Sequence, residues 1–445
     1  MTADDGRWTM DNHGQWSIVH RQHPMKTITL LTSGTRGDVV PYIALGEGLR
    51  NAGYNVRIAA PRGFANLIQG GGTPPLQFAP FDGNPTDLMI EQGDFTPMTL
   101  GTNPIRSLLS TRSFLQKARP LYRRMLHTAA EACRGSDLLM HGLPTIWGAH
   151  IAEGLGIPAV RALLQPLTPT REFSSALLPF RFSLGIGNWL SHWIVTQATW
   201  LSWRSEINHA RHTDFGLGPA HLLDPSLRLF PHQPLTLNGF SEHIVPRPKD
   251  WNRKQVITGY WRIKGETSER VAELGEVQRF IDSAKNPIAI GFGSPGTQGY
   301  LPMLAEALQR TNTQAVLTIP SKWHSEIKSK NIFPIDYAPH DWLYRHVKVA
   351  AHHGGAGTTS ASLHAGIPTI TLPLAIDQFF WGERVYKIGV GPKPIPQRKL
   401  SAENLAQAII EALNNKEMNE KAKAISEALS QEDGIQVAVS VMRNI

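Results

Sequence analysis

Short apolar runs recur along the chain, each followed by a loop of small residues and then by apolar positions at helical spacing. The first run covers residues 26–31, and its threonines, isoleucine and leucines suit a β-strand. The loop Ser33-Gly34-Thr35-Arg36-Gly37-Asp38 follows it. An apolar-periodic helix is expected around residues 44–52, ended by Gly53, with a second strand over 55–60. This is a βαβ unit, which implies parallel strands and a right-handed crossover. Further strands are expected at 137–140 and 159–163, then at 256–258, 287–292, 315–319, 347–351 and 369–373. Helices are expected at 301–309, 358–365 and over most of 402–445. The fold class is therefore α/β, in two halves that repeat strand, glycine loop and helix. Between the halves, Val245-Pro246-Arg247-Pro248-Lys249-Asp250-Trp251 reads as linker, because its prolines interrupt both helix and strand.

Two stretches stand apart from this alternation. Residues 1–24 are polar, without the apolar run of a signal peptide, and are expected to be a disordered extension. Met25 directly precedes the first strand and offers a second place for translation to begin. Residues 170–235 read as a helical, Trp-rich insertion over the first half. No charged residue lies between Arg181 and Arg204, a stretch long enough to span a bilayer. It also holds Ser183, Asn188, Ser191, His192, Thr196, Gln197, Thr199 and Ser202, which make it too polar to do so. On a helix, Trp189, Trp193, Trp200 and Trp203 share one face. That face is either a core or pocket wall, or a surface that meets lipid or a greasy ligand.

Composition narrows the classes. The 445 residues suffice for two or three domains at ~150 residues each. With 41% hydrophobic and 18% charged residues, the chain can build sizeable cores and is not of the disordered class. Cys133 is the single cysteine, so no intrachain disulfide forms and a reducing cytoplasm is expected. The net charge of +8 is spread along the chain without a Lys/Arg block. A nucleic-acid partner is therefore not expected, whereas an anionic small substrate or an anionic membrane surface fits.

Three motifs carry candidate chemistry. Gly291-Phe292-Gly293-Ser294-Pro295-Gly296 fits a dinucleotide loop, but the next strand ends in Ile319-Pro320-Ser321-Lys322, without the carboxylate that holds a ribose. A phosphate loop of another kind, with the Ser294 hydroxyl offered to an oxyanion, and a plain strand–helix turn both remain open. His352-His353-Gly354-Gly355-Ala356-Gly357-Thr358-Thr359 follows a strand and opens a helix, where backbone N–H groups attract phosphate. The alternative is a buried structural histidine pair. Asp377-Gln378, after the next strand, pairs an acid and an amide that can grip polyol hydroxyls, or simply caps a helix. No Asp-x-Asp pair and no zinc-spaced Cys/His set is present, so no metal and no cofactor are expected.

His353-x-Gly355-x-x-Thr358 with Asp377-Gln378 resembles the donor signature of family 1 glycosyltransferases, which have the GT-B fold. Gly34-Thr35-Arg36-Gly37-Asp38-Val39 and Pro41-Tyr42-Ile43-Ala44-Leu45-Gly46 are similar to the sterol 3-β-glucosyltransferase-like branch, which also holds bacterial macrolide, glycopeptide and rhamnolipid enzymes. Thr258-Gly259-Tyr260-Trp261 and Pro339-His340-Asp341-Trp342-Leu343 extend the likeness to nearly all of residues 26–430. The resemblance implies an acceptor domain at 26–240, a linker at 241–255, a nucleotide-sugar domain at 256–430, and a last helix at 431–445 that crosses back to the first domain. It implies inverting transfer of a hexose, glucose from UDP-glucose, to a hydroxyl of a sterol, lipid or polyketide. Asp38 would be the general base, with the cap of the following helix as its other reading. Gly293, Ser294, His353 and Gly355, Ala356, Gly357 and Thr358 would hold the diphosphate, with His353 also catalytic. Tyr337, or Trp342 nearby, would stack on the base, His340 would meet its edge, and Asp377 and Gln378 would hold the sugar. Gly37, Trp189, Trp193 and Trp200 would meet the acceptor. A TDP-deoxysugar such as TDP-rhamnose is the alternative donor, peripheral contact with the inner face of a membrane is expected, and a nucleotide-sugar 2-epimerase of the same fold is the reading from another class.

Overall fold

The structure is a computed structural model and describes residues 7–10, 16–19, 26–70, 74–84, 87, 104–180, 185–223, 234–263, 274–292 and 297–444. The β-branched and leucine-rich runs form two parallel sheets, whose strands are buried along most of their length. The first sheet holds β1 (Thr27–Leu31), β2 (Asn55–Pro61), β3 (Gln77–Phe81), β4 (Leu138–His141), β5 (Ala159–Leu163), β6 (Thr236–Asn238) and β7 (Gln255–Ile257). Their order is β3-β2-β1-β4-β5-β6-β7. The second holds β8 (Pro287–Gly291), β9 (Gln314–Thr318), β10 (Ile332–Ile335), β11 (Val349–His352) and β12 (Thr369–Thr371), ordered β10-β9-β8-β11-β12. Every ladder in both is parallel. Each sheet therefore reverses direction beside its first strand, between β1 and β4 and between β8 and β11. Loops diverge at such a point and leave a crevice at the carboxyl edge, where ligands bind in open α/β sheets.

Among the helices that cover these sheets or border the crevices are α1 (Arg36–Asn51), α2 (Pro104–Ala132), α3 (Gly148–Leu155), α4 (Gly185–Phe215), α5 (Leu301–Thr311), α6 (His340–His346), α7 (Ala356–Ala365), α8 (Gln378–Lys387), α9 (Ala402–Asn414), α10 (Lys416–Ser430) and α11 (Gly434–Met442). The first sheet is covered by Val39, Tyr42, Ile43, Leu45 and Leu49 of α1, with Ala438, Val439 and Met442 of α11 in the same core. Leu304 and Leu308 of α5 and Leu405 and Ile409 of α9 cover the second. A third apolar cluster joins the halves: Leu163, Phe240, Ile244, Val245 and Trp251 from the first pack with Leu363, Phe380, Trp381, Val385 and Leu429 from the second.

Several expectations are corrected. The extension is not without order, since Arg7–Met10 pairs antiparallel with Trp16–Val19. Such an isolated ladder is marginal in water, which is why polarity alone gave no sign of it. Residues 255–257 belong to the first sheet as β7, so the boundary at 256 was misplaced. The expected linker is packed rather than free: Ile244 and Val245 are fully buried, and Arg247 donates to the carbonyls of Asn252 (2.7 Å) and Gln255. Its prolines end regular structure without preventing burial. Helix α1 begins at Arg36, well before its apolar pattern, because its first turn is held by polar capping. Within the Trp-rich insertion, Gly185–Phe215 form one long helix, α4, that packs along α2, with Trp203 stacked on Tyr122 at 3.5 Å between centroids. Among the described residues, no helix is long and apolar enough to cross a membrane.

The return of α11 to the first domain depends on one close backbone approach. A Cβ on Gly434 would lie 2.5 Å from the carbonyl carbon and oxygen of Gly259. Gly434→Ala should therefore destabilise the protein by about 1–3 kcal/mol, as forced overpacking does. Thermal unfolding reads this directly, and an unchanged Tm would mean that α11 does not dock so tightly.

Candidate functional site

The first crevice is shaped by the loop between β1 and α1. Thr35 is the N-cap of α1 and Asp38 its third residue, and the two bond reciprocally. The Thr35 amide (2.8 Å) and hydroxyl (2.9 Å) both donate to Oδ2 of Asp38. Asp38 is thus part of a capping box, as its structural reading held, yet it stays half-buried at the cleft edge. Burial raises its pKa, and the two bonds from Thr35 oppose that rise. Gly34 has φ +104, and a Cβ there would lie 2.6 Å from Oδ2 of Asp38, so glycine is required. Asn84, which the sequence did not single out, clamps this turn: its amide donates to the Gly34 carbonyl (2.8 Å) and its Oδ1 accepts the Gly34 N–H (3.3 Å). Beside the loop, His141 ends β4 in the core, with a pKa pushed down to about 3 by burial and by Arg161.

The second crevice holds the glycine run after β11. His352 is buried and structural: its Nδ1 accepts the Gly354 N–H (3.0 Å) and its Nε2 meets the Ser362 hydroxyl (3.2 Å). The His353 ring lies against Gly355 instead, and its buried Nδ1 has no partner among the described residues. A Cβ on Gly355 would meet the His353 ring at 2.5 Å, and one on Gly354 (φ +85) the Gln378 carbonyl at 3.0 Å. Gly355 is the N-cap of α7, whose opening N–H groups have no side-chain cap and no carboxylate in the first turn. They are free donors at the positive end of a helix dipole. Burial pushes His353 to a pKa of about 4, with His340 adding to the fall, and His340 itself to about 4, with Arg36 contributing. All of these imidazoles are neutral at neutral pH. Gly293 and Ser294 lie outside the described residues.

Asp377 stands at the N-terminus of α8, but its side chain does not cap the helix. Its Oδ2 accepts from the indole N–H of fully buried Trp381 (3.0 Å). Burial raises its pKa to about 6; the charge of Asp38 adds to the rise, while Trp381 and the Gln165 amide oppose it. Asp377 of the second domain is thus within hydrogen-bond reach of Gln165 and within electrostatic reach of Asp38, both from the first. Gln378 is partly committed, since its Oε1 accepts the N–H groups of Leu374 (2.8 Å) and Ala375 (3.1 Å). Tyr337 is exposed, and Nη2 of Arg36 donates to its hydroxyl across the cleft (3.0 Å). Trp342 instead tilts against His346 at 4.6 Å, partly buried in the second domain.

Comparison with known proteins gives the following likenesses. Residues 28–174 match the N-terminal domain of glycosyltransferase family 28, and residues 303–442 the C-terminal domain of the erythromycin biosynthesis protein CIII-like family. The chain is 35% identical to the sterol 3-beta-glucosyltransferase of Debaryomyces hansenii, over 93% of its own length. It is 36% identical to that of Glomerella lagenarium over 94%. It spans only 26% and 28% of those longer proteins. Among solved structures, the glycotransferase of kitacinnamycin superposes with a TM-score of 0.66 at 16% identity, over 94% of this chain and 98% of that one. The glycosyltransferase VinC, in complex with DTDP, does so with a TM-score of 0.63 at 16% identity, over 94% and 98%.

The chain has the GT-B fold, with a glycosyltransferase family 28 N-terminal domain and a CIII-like C-terminal domain. Within this GT-B chain, the Trp face divides. Trp200 is core: it is 5% exposed, donates to the Leu222 carbonyl (3.0 Å) and stacks on His150 at 5.1 Å. Its expected acceptor contact is therefore corrected to packing, while Trp189 and Trp193 are half-buried. The exposed side of α4 carries Ile186, Leu190, Ile194 and Leu201 instead. Their spacing along the helix was the missed signal, masked by the heavier tryptophans on the adjoining face. Arg36, Gln165 and Trp381 were also missed; Arg36 sits inside the quoted Gly34–Asp38 run, but nothing local marks the other two.

If Asp38 and Asp377 share a space, neutralising one must ease ionisation of the other. In Asp38→Asn, the Asp377 carboxyl should titrate below its value of about 6. Carboxyl carbon NMR of labelled aspartates measures this, and an unmoved Asp377 titration would mean that the two do not face each other.

Proposed function

We propose that the protein transfers a hexose from a nucleotide-diphosphate sugar to a hydroxyl of a lipophilic acceptor, with UDP-glucose and a sterol as the first donor and acceptor to try. The observation that carries this reading is that Asp38, in the first turn of α1, acts on Asp377 across the two domains, while α1 lies against α7, whose N-terminus is uncapped. The first domain would bind the acceptor and the second the donor. The sterol acceptor is suggested by the fungal relatives. A TDP-sugar stands as the alternative donor, because VinC and a Streptomyces glycosyltransferase were solved with thymidine diphosphates. A 2-epimerase would have no use for Asp38 opposite an acceptor.

The chemistry follows from the positions. An alcohol is a weak nucleophile at neutral pH and needs a base within hydrogen-bond reach. Both bonds from Thr35 fall on Oδ2 of Asp38, which leaves Oδ1 for the acceptor proton. As the acceptor oxygen attacks the anomeric carbon from one side, the diphosphate departs from the other, and the centre inverts. Charge grows on the departing oxygens, where the N–H groups of Ala356, Gly357 and Thr358 would stabilise it with neutral His353 as a further donor. Asp377 and the Gln378 NH2 group would hold sugar hydroxyls, Tyr337 the base and His340 its edge. Helix dipole and N–H groups fill the part a metal plays elsewhere, so no metal or cofactor is required in this reading.

Peripheral contact with a membrane at its cytoplasmic face belongs to the same reading. Four apolar side chains stand exposed along one side of α4, within a stretch free of charge. Replacing Leu190 and Ile194 by serine should weaken sedimentation with anionic liposomes and leave Tm unchanged. Equal sedimentation of variant and wild type would remove α4 as the contact.

The decisive test of the reaction is Asp38→Asn with UDP-glucose or TDP-rhamnose and a panel of sterols, hydroxy-lipids and polyketides, followed by mass spectrometry. Asparagine keeps an acceptor for the Thr35 N–H but takes no proton. Wild type should transfer sugar in the presence of EDTA, and the variant should turn over ~10²-fold more slowly or worse with Tm little changed. Near wild-type turnover by Asp38→Asn would leave Asp38 as a cap alone. Loss of wild-type activity in EDTA, restored by magnesium, would defeat the metal-free mechanism.

A further inference from the structure

Arg36 carries a full positive charge from the acceptor-side loop to the donor-side wall. Its Nη2 donates to the Tyr337 hydroxyl at 3.0 Å, and its guanidinium carbon lies 5.0 Å from the centre of the Tyr337 ring. A stacked nucleobase needs a similar distance, since aromatic pairs sit ~4.5–7 Å apart between centroids. Base and guanidinium therefore compete for the face that Arg36 covers. Among the described residues, no carboxylate lies within ion-pair distance of Arg36. Of its five donors, a single one is engaged there.

The cradle on the other side lacks what Arg36 has. His340, His352 and His353 are all held neutral by burial, so the N-terminus of α7 offers dipoles and N–H groups but no full positive charge. The field of Arg36 already reaches this group, because it is one cause of the depressed proton affinity of His340. His340 in turn acts on His353.

We propose that Arg36 is a diphosphate-binding residue supplied by the first domain. When the donor arrives, the base takes the Tyr337 ring and the guanidinium turns to the phosphates above α7. The planar fork of arginine suits two phosphate oxygens at once. Arg36 and Asp38 belong to one first turn, tied by the Thr35–Asp38 bonds. An Arg36 anchored on the diphosphate would thus also set the carboxyl that faces the acceptor. This inference rests on the donor site of the proposed function.

The test compares UDP with uridine, which has no phosphate, in calorimetric titrations of the full chain. Arg36→Met should weaken UDP by about tenfold to a hundredfold, the scale of a hydrogen bond to a charged group. It should leave uridine unchanged or bound more tightly, because the ring is uncovered. Arg36→Lys should fall between, as a point charge without the fork. Equal loss of UDP and uridine in Arg36→Met would mean that Arg36 acts only through the ring, and loss of neither that it does not act; both outcomes overturn the proposal. If the wild type binds neither UDP nor TDP, the donor site itself falls and Arg36 falls with it. If the wild type binds UDP and Arg36→Met does not discriminate, only the role of Arg36 falls. Arg36 is exposed, so Tm of each variant should match the wild type.

Discussion

Everything at the site depends on holding the carboxyl edges of two parallel sheets face to face. Neither crevice alone brings an acid, a dipole and a second acid together. The apolar seam under the cleft supplies the constraint: Phe240 packs edge-on to Trp381 at 6.2 Å, and Phe173 lies 5.5 Å from Phe380. Trp381 is itself the donor to Asp377, so one residue both closes the seam and orients a carboxyl in the cleft. The crossing of α11 adds a second tie, in which the Ser241 hydroxyl donates to Glu432 (2.6 Å) just ahead of that helix.

That constraint has an electrostatic consequence. Bringing Asp38 within electrostatic reach of Asp377 raises the proton affinity of Asp377, on top of the larger effect of burial. A carboxyl whose folded pKa lies above its ordinary value binds more protons folded than unfolded. Its contribution to stability therefore falls as pH rises from about 4, the ordinary value, to about 6. The folded state at neutral pH carries an unfavourable pair that the Trp381 indole and Gln165 amide only partly relieve. Strain of this kind is expected where two charged groups are held ready for a third partner rather than for each other. Ile376, at φ +52 in the turn before Asp377, adds a backbone cost at the same place.

The architecture was legible in the sequence because its signals are local. Alternation of β-branched runs with small-residue loops yields βαβ units, and glycines at Gly34, Gly354 and Gly355 mark places where a Cβ would strike a carboxyl, a carbonyl or a ring. His353, the start of α7 and Asp377 could be named for the same reason. Partnership across the cleft could not, because Arg36 and Tyr337 are 301 residues apart. Gln165 is a lone amide after a strand until the fold lays it beside Asp377. The tryptophans misled for a related reason: periodicity finds a face, but whether that face meets α2 or a ligand depends on what packs there, and Trp200 and Trp203 meet the core. The strand expected at 256–258 was given to the wrong domain because three residues carry too short a pattern to say which sheet they join.

The two domains contribute to the site in different ways. The second supplies a preformed surface: the N-terminus of α7, the His352–Gly354 turn and the Asp377–Trp381 pair are each fixed by bonds within that domain. The first contributes single side chains on one short turn and one strand end, Arg36, Asp38 and Gln165. Their positions relative to the second domain are set by the seam and the crossing of α11. A small opening of the seam would leave the α7 surface intact while removing Gln165 from Asp377 and Arg36 from Tyr337. Binding of a nucleotide can therefore survive an open cleft, whereas chemistry that needs Asp38 against the sugar cannot. Closure then orders the events, because the proton acceptor meets the reacting carbon only when both domains already touch what lies between them.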